Sequence, residues 1–142
     1  MTSSSLPDVN VWFALLYADH VHRASALTWW NAETCERIGF TRPTQMGVLR
    51  LATTAAAMNG RPLTMKAAWK AYDRLFEDER VVIYPEPPNI DAQFREFSKS
   101  PIASPKVWAD AYLLAFARGH HGQVVTFDKA LEDQGTSCLV LG

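Results

Sequence analysis

The chain has 142 residues, of which 48% are hydrophobic and 20% are charged, and its formal net charge is −1. This length and composition predict one globular domain over residues 1–142 and argue against a disordered chain. The near-neutral charge excludes a nucleic-acid binder that works through bulk positive charge alone. It leaves room for a protein that binds nucleic acid through a metal ion.

Membrane insertion and secretion have no support in the sequence. No run reaches the roughly 18 consecutive apolar residues that a membrane span needs. Met1–Ser5 has neither the basic region nor the apolar core of a secretory signal. Cys35 and Cys138 are the only cysteines and lack CxxC spacing, which excludes a disulfide scaffold and a cysteine-rich zinc site. We therefore expect a cytoplasmic protein without membrane contact.

Short β-rich runs alternate with helical stretches along the chain. Strands are predicted over five short segments, namely Ser4–Asp8, Arg37–Thr41, Arg80–Tyr84, Gln123–Phe127 and Ser137–Leu141. Helices are predicted over Val11–Tyr17, His20–Thr34, Pro43–Met58, Thr64–Asp78 and Ile90–Phe97, and from an N-terminal Ser104-Pro105 cap to Gly119. This alternation predicts an α/β fold with a mostly parallel sheet of four to five strands, covered on both faces. Ligands of such sheets bind beyond the carboxyl ends of the strands.

Asp110 is the acid that the sequence explains least easily as surface. It is the only charged residue between Lys106 and Arg118, in a helix that is apolar on nearly every side. A carboxylate in such a helix is paired, metal-bound or costly. A buried salt bridge or a set of backbone donors would also satisfy it.

Two further acids stand where predicted strands end. Asp128 follows the apolar run Val124–Phe127, and Asp8 precedes the apolar helical run Val11–Tyr17. Each has an ordinary explanation as a helix N-cap or turn residue. Acids at two strand ends and one crossover helix would nevertheless converge at one edge of a parallel sheet. A hard divalent cation such as Mg²⁺ or Mn²⁺ would relieve their mutual repulsion.

Three short motifs occur in a familiar order and spacing: Asp8-Val-Asn10-Val, Trp-Ala-Asp110-Ala-Tyr-Leu and Val-Thr126-Phe-Asp128. Together they resemble the PIN-domain ribonucleases, above all the toxin component of VapBC-type toxin–antitoxin systems. The stretch from His20 to Trp30 and Thr44-Gln-Met-Gly-Val-Leu-Arg50 resemble one subgroup of these toxins. The resemblance spans essentially the whole chain.

The resemblance implies a three-layer α/β/α sandwich and an acid cluster that holds Mg²⁺ or Mn²⁺ and hydrolyses RNA, often tRNA or rRNA. Asp8, Asp110 and Asp128 match three of the family's acids and become the predicted metal ligands. The family's second acid, usually Glu at the start of the third helix, falls on Gln45, which carries no charge. We expect Gln45 to complete the catalytic set by pointing toward the acids. Pro7 lies where members of this family usually carry an aliphatic residue, which predicts a first strand that is short or distorted just before Asp8.

Other residues near the predicted acids could contact substrate or partner. Basic candidates for phosphate contact are Arg42, Arg50, Lys106 and Lys129, although each also fits a solvated surface. Thr126 is a candidate for orienting a metal-bound water or the substrate. The tryptophans that could line an apolar groove for a partner helix are Trp12, Trp29, Trp30 and Trp69.

The leading hypothesis is a Mg²⁺-dependent endoribonuclease toxin that forms a homodimer and is neutralised by a cognate antitoxin. The alternative is a PIN-like module that binds RNA or protein, with a site weakened by Gln45. A receiver-type phosphoacceptor domain also places acids at sheet ends. It needs an Asp after the third strand, where this chain has Tyr84-Pro85.

Overall fold

Five parallel strands form the central sheet of the computed structural model, which describes residues 4–132 and 138–142. The strands are β1 (Ser4–Pro7), β2 (Arg37–Phe40), β3 (Val81–Ile83), β4 (Gln123–Thr126) and β5 (Cys138–Val140). Their order across the sheet is β3-β2-β1-β4-β5, and every neighbouring pair is parallel. All five predicted strands are confirmed, although Ser137, the predicted start of the last one, lies outside the described residues.

Six α-helices connect these strands in the described part of the chain. They are α1 (Val9–Leu16), α2 (Arg23–Ala32), α3 (Arg42–Ala52), α4 (Met65–Leu75), α5 (Ile90–Phe97) and α6 (Val107–Gly119). Short 3-10 helices cover Ala55–Met58 and Lys129–Leu131. None of the helices in residues 4–132 and 138–142 has the length and hydropathy needed to span a bilayer.

The predicted helix over Pro43–Met58 is wrong at its end, because α3 stops at Ala52. The hydroxyl of Thr53 donates to the carbonyl of Leu49 over 2.9 Å, and that of Thr54 donates to Arg50 over 2.6 Å. Threonine hydroxyls that bond the preceding turn compete with continuation of a helix. The chain then resumes as the 3-10 helix over Ala55–Met58.

The predicted Ser104-Pro105 cap of α6 is also wrong. The chain turns at Pro105–Lys106 and enters the helix only at Val107, where Lys106 occupies the N-cap position without a side-chain cap bond. Ser104 contributes its backbone carbonyl instead, which accepts from the Val107 N–H over 3.0 Å.

The helices cover the sheet on both faces. Helices α1 to α4 pack around a core on one face that includes Trp12, Phe40 and Val48. Helices α5 and α6 pack against each other and cover the other face, whose core includes Leu114 and Phe116. Successive strand residues point to opposite faces, so both sides of the central strand β1 are covered and all four of its residues are buried. The predicted three-layer α/β/α sandwich is confirmed.

The connection order places a topological switch point between β1 and β4. From β1 the chain moves outward through β2 to β3, then crosses to β4 and moves outward to β5 on the other side. Crossovers that leave in opposite directions open a crevice at the carboxyl ends of the two central strands. Asp8 immediately follows β1, and Asp128 follows β4 by two residues.

Pro7 shortens one ladder of β1 as expected. The Asp8 N–H donates to the Val125 carbonyl of β4 over 2.9 Å, so the nitrogen of Pro7, one residue earlier, faces β2. A proline nitrogen donates no hydrogen bond. The β1–β2 register accordingly ends at Ser5, while the β1–β4 register continues through Pro7.

Candidate active site

Asp8 is held rigidly at the end of β1. It is the N-cap of α1, where its Oδ1 accepts from the Val11 N–H over 3.0 Å. Its Oδ2 accepts from the Thr126 hydroxyl over 2.6 Å. Burial raises the pKa of Asp8, although these hydrogen bonds act in the opposite direction and Asp128 adds to the rise.

Thr126 also fixes the loop that carries Asp128. Its Oγ1 accepts from the Asp128 N–H over 3.0 Å while its hydroxyl donates to Asp8. The Asp128 carboxylate caps the following 3-10 helix by accepting from the Ala130 N–H over 2.9 Å. Thr126 is fully buried, so one hydroxyl couples the ends of β1 and β4 inside the fold.

Asp110 approaches the same edge from α6. It lies in the first turn of that helix and is half-buried. Its carboxylate accepts no hydrogen bond from any described residue, unlike the carboxylates of Asp8 and Asp128. Burial, followed by repulsion from Asp128 and Asp8, raises the pKa of Asp110 to about 6.

Each of the three acids lies at the N-terminal end of a helical segment. Asp8 and Asp128 each cap a helical segment, and Asp110 lies in the first turn of α6. A helix N-terminus favours negative charge, which offsets part of the mutual repulsion. In residues 4–132 and 138–142, however, no three His, Cys, Asp or Glu side chains form a group arranged to hold a metal ion. The carboxylate oxygens of the three acids are therefore suitable ligands for a hard cation, but their present positions do not form a metal site.

A cleft of about 490 Å³ opens beside Asp8 and Asp110. Asp8 and Asn10 line it from α1, Thr41 and Thr44 from the start of α3, and Asp110 from α6. Basic side chains enter it from two sides, Arg50 from α3 and Lys106 from the start of α6. The cleft thus combines carboxylates with cations that can contact a phosphate.

The close approach of α1 to α3 beside this cleft depends on a glycine. A Cβ on Gly47 would lie 2.6 Å from Cγ2 of Val9, well inside contact distance. Gly47 therefore allows Val9, the residue after Asp8, to pack directly against the α3 backbone.

The structure does not bring Gln45 to the acids, which corrects the sequence prediction. Its side chain is buried, with Nε2 donating to the Tyr72 hydroxyl over 3.2 Å and Oε1 accepting from Arg42 over 2.7 Å. Thr44, one residue earlier, lines the cleft instead. Adjacent helical residues point about 100° apart, so a shift of one position changes which side chain faces the site.

Two of the four basic residues that were candidates for phosphate contact line the cleft, and two do not. Arg50 and Lys106 line the cleft, whereas the exposed Arg42 does not line it and donates to Oε1 of Gln45. Lys129 is exposed on the 3-10 helix that follows Asp128.

Sequence reasoning missed several residues at this site. Thr41 and Thr44 form a reciprocal capping box at the start of α3, which only the Thr-x-x-Thr spacing could have indicated. Tyr112 lines the cleft two residues after Asp110 and donates to Glu86 over 2.9 Å. Cys138 lies close enough to the acids that, after burial, the charges of Asp8, Glu132, Asp110 and Asp128 raise its pKa.

The chain matches one protein family over nearly its whole length. Residues 5–135 match the PIN domain. The chain belongs to the PIN domain family. It is 38% identical over 135 residues to ribonuclease VapC41 of Mycobacterium tuberculosis, a match that covers 92% of each chain.

Two solved structures show the same PIN fold. The crystal structure of Mycobacterium tuberculosis VapC20, a sarcin-ricin loop cleaving toxin, superposes with a TM-score of 0.67 at 15% identity. That comparison covers 97% of this chain and 99% of VapC20. The crystal structure of FitAcB from Neisseria gonorrhoeae superposes with a TM-score of 0.57 at 23% identity, over 95% and 96% of the two chains.

Proposed function

We propose that this PIN protein is a metal-dependent endoribonuclease toxin that hydrolyses phosphodiester bonds in RNA and is neutralised by a cognate antitoxin. The observation that supports the proposal is the position of Asp8 and Asp110 in one cleft at the switch point of the sheet, close enough to Asp128 that the charges of Asp128 and Asp8 add to the rise in the pKa of Asp110. Membership of the PIN family and the likeness to ribonuclease VapC41 support the same chemistry.

The residues present fit a divalent cation such as Mg²⁺ or Mn²⁺. Asp110 is the clearest sign, because its carboxylate is half-buried, repelled by two other carboxylates and without a donor among the described residues. Hard cations take oxygen ligands of this kind. Asp8, Asp110 and Asp128 would hold the ion, which when bound lowers the pKa of a water and offsets charge on the phosphate oxygens.

The protein groups around the cleft have separate tasks in this proposal. The Thr126 hydroxyl keeps Asp8 and the Asp128 loop in one fixed relation. Arg50 and Lys106 neutralise and orient the phosphate that enters the cleft. Without these two cations, a phosphate in the cleft would meet the carboxylates of Asp8 and Asp110 with no positive charge beside them.

An apolar groove beside the cleft is the proposed antitoxin site. It has a volume of about 360 Å³ and lies between α3 and α4. Met46, Met65 and Trp69 line it and are 62%, 72% and 48% exposed. Arg50 lines both this groove and the acid cleft, so a helix docked here would reach the cleft. Of the four tryptophans considered, Trp12 and Trp29 are buried and Trp30 packs on the core, which leaves Trp69.

The remaining parts of the proposal concern assembly and location. We propose a homodimer, and the exposed apolar side chains of α3 and α4 provide surface for such a contact. A cytoplasmic location accords with two free cysteines and an RNA substrate.

The deciding experiment measures RNA cleavage by the purified protein with Mg²⁺ or Mn²⁺, with Ca²⁺, and with excess EDTA. We expect cleavage with the first two ions only, because the larger, looser shell of Ca²⁺ positions water poorly. Thermal unfolding with added Mn²⁺ provides a second readout, in which wild type but not Asp110→Asn is stabilised. Full turnover in EDTA would refute the metal hypothesis. RNA binding without any cleavage would favour a PIN-like binding module.

A further inference from the structure

The acid cleft continues into a second cavity whose chemistry differs from that of the apolar groove. Asn10 and Leu51 line both the cleft and this cavity, which has a volume of about 390 Å³. We call it the aromatic groove, since Phe13, Tyr17 and His20 line it together with Asn59. It lies between the C-terminal part of α1 and the 3-10 helix that follows α3.

The rings of this groove form a packed set. Phe13 is buried and stacks on Tyr17 with ring centroids 5.5 Å apart, while His20 meets the Phe13 ring edge-on at 5.4 Å. Tyr17 and His20 are only partly buried, so they offer ring surface to the cavity. Rings of this kind are the surfaces on which unpaired nucleobases stack.

The polar groups of the groove suit the edge of a base. Asn59 adopts a left-handed backbone with φ of 53°. Its side-chain Nδ2 donates to the Tyr17 hydroxyl over 2.8 Å, which leaves the side-chain Oδ1 as an acceptor. The exposed Asn10 amide offers a donor and an acceptor next to the acids. Nδ1 of His20 accepts from the His22 N–H over 2.9 Å, so a neutral His20 carries its proton on Nε2.

The charge of the groove favours a base over a phosphate as its ligand. Among the described residues, Asp19 is the acidic side chain that lines it. A carboxylate repels phosphate but accepts hydrogen bonds from the amino groups of bases. Cations lie at the two ends of the path instead. Arg50 and Lys106 line the cleft, and Arg61 lines the next cavity beyond Tyr17 and Asn59.

We propose that the aromatic groove binds one unpaired base of the RNA, adjacent to the phosphate held in the acid cleft, and so sets cleavage specificity. The proposal rests on the nuclease function proposed above. The base stacks on Tyr17 and His20 and presents its edge to Asn10 and Asn59. The backbone then continues toward Arg61.

The first test is a cleavage profile on an RNA pool of random sequence, read by sequencing the cut ends. The test protein is the double variant Asn10→Ala/Asn59→Gly, since glycine keeps the left-handed backbone of position 59. Asn89→Gly is the matched control, because Asn89 is exposed, has φ of 63° and lies outside the groove. Wild type and control should share a base preference of at least about tenfold at one position beside the cut, and the double variant should lose it. A preference that survives in the double variant overturns the proposal.

The second test separates this inference from the nuclease proposal, because it needs no cleavage. Asp110→Asn protein is titrated with short single-stranded homopolymers of each base, intact or with one abasic residue, and followed by fluorescence anisotropy. One abasic residue should weaken the best intact RNA by about tenfold. Adding Asn10→Ala/Asn59→Gly should abolish that difference. If this binding result is obtained but wild type cleaves no RNA, the nuclease proposal is refuted and the groove assignment stands. An abasic residue without effect overturns the groove assignment, even if the protein cleaves.

Discussion

The buried hydroxyl of Thr126 donates to Oδ2 of Asp8 over 2.6 Å and accepts from the Asp128 N–H over 3.0 Å. Thr126 therefore links an acid at the end of β1 to the loop after β4, which are separated by about 120 residues of sequence. Because these strands flank the switch point, one side chain sets the relation between two of the three acids.

Thr126→Val should test this link, because valine keeps the shape of threonine and removes the hydroxyl. We expect a loss of about 1–3 kcal/mol in the free energy of unfolding, since the Asp8 oxygen and the Asp128 N–H both lose a buried partner. RNA cleavage should fall by about tenfold or more. Thr126→Ser keeps the hydroxyl and should retain most of the activity. Equal activity of the valine and serine variants would show that the link does not position the acids.

The three acids are tested by Asp8→Asn, Asp110→Asn and Asp128→Asn. Each change removes charge needed to hold the ion, so RNA cleavage should fall by at least about 100-fold. Asp73→Asn is the matched control, because Asp73 is an exposed acid on α4 away from the cleft, and its activity should equal that of wild type. Any of the three site variants that cleaves like wild type removes that acid from the assignment.

The pKa of Asp110 predicts how the stability of the metal-free protein depends on pH. Its folded-state pKa of about 6 lies above the unfolded value of about 4, so the folded state binds the proton more tightly. This contribution is complete below about pH 4 and is lost as the pH rises through about 6. Metal-free Asp110→Asn should therefore be more stable than wild type at pH 8, by about 1 kcal/mol after allowance for solvent exposure.

Chemical denaturation of both proteins between pH 4 and pH 8, with EDTA present, measures this difference. The advantage of Asp110→Asn should shrink as the pH falls through about 6. A constant difference across that range would show that Asp110 does not titrate with a raised pKa. A variant less stable than wild type at every pH would point to a buried partner for Asp110.

Gln45 provides a test of the corrected site. Because its amide binds Tyr72 and Arg42 instead of facing the acids, Gln45→Glu should change Mg²⁺ affinity by less than about twofold. Gln45→Leu should leave Mg²⁺ affinity unchanged but cost about 1–3 kcal/mol of stability, since the buried Tyr72 hydroxyl loses its partner. Isothermal titration and denaturation measure the two quantities. A three- to thirty-fold gain in affinity for Gln45→Glu would restore the original prediction.

The apolar groove between α3 and α4 is tested by comparing two exposed tryptophans. Trp69 is 48% exposed and lines the groove, whereas Trp108 is 60% exposed on α6 and does not. Trp69→Ala should weaken antitoxin binding by at least about tenfold, because buried tryptophans dominate such contacts. Trp108→Ala should bind as wild type does. Equal affinities would place the antitoxin elsewhere on the protein.

The class of fold and the positions of Asp8 and Asp128 after their strands could be predicted from the sequence because their signals are local. Short β-rich runs between helices indicate a parallel sheet, and an acid directly after such a run must lie at the carboxyl edge. Asp110 stood out because a lone charge in an apolar helix demands a partner. Pro7 likewise predicted one missing hydrogen bond in the sheet, because proline has no backbone N–H in any strand.

The tertiary structure decided which neighbouring side chains face the site. Gln45 and Thr44 are adjacent in sequence, but only Thr44 enters the cleft, since the packing of α3 against α1 and α4 sets the rotation of the helix. Trp29 and Trp69 are equally apolar, yet one is buried in the core and the other lines a groove. The Thr126 link and the aromatic groove each join residues far apart in the chain. Hydrophobic periodicity and capping residues predict local secondary structure. Contacts between residues far apart in the chain depend instead on how the helices and strands pack together.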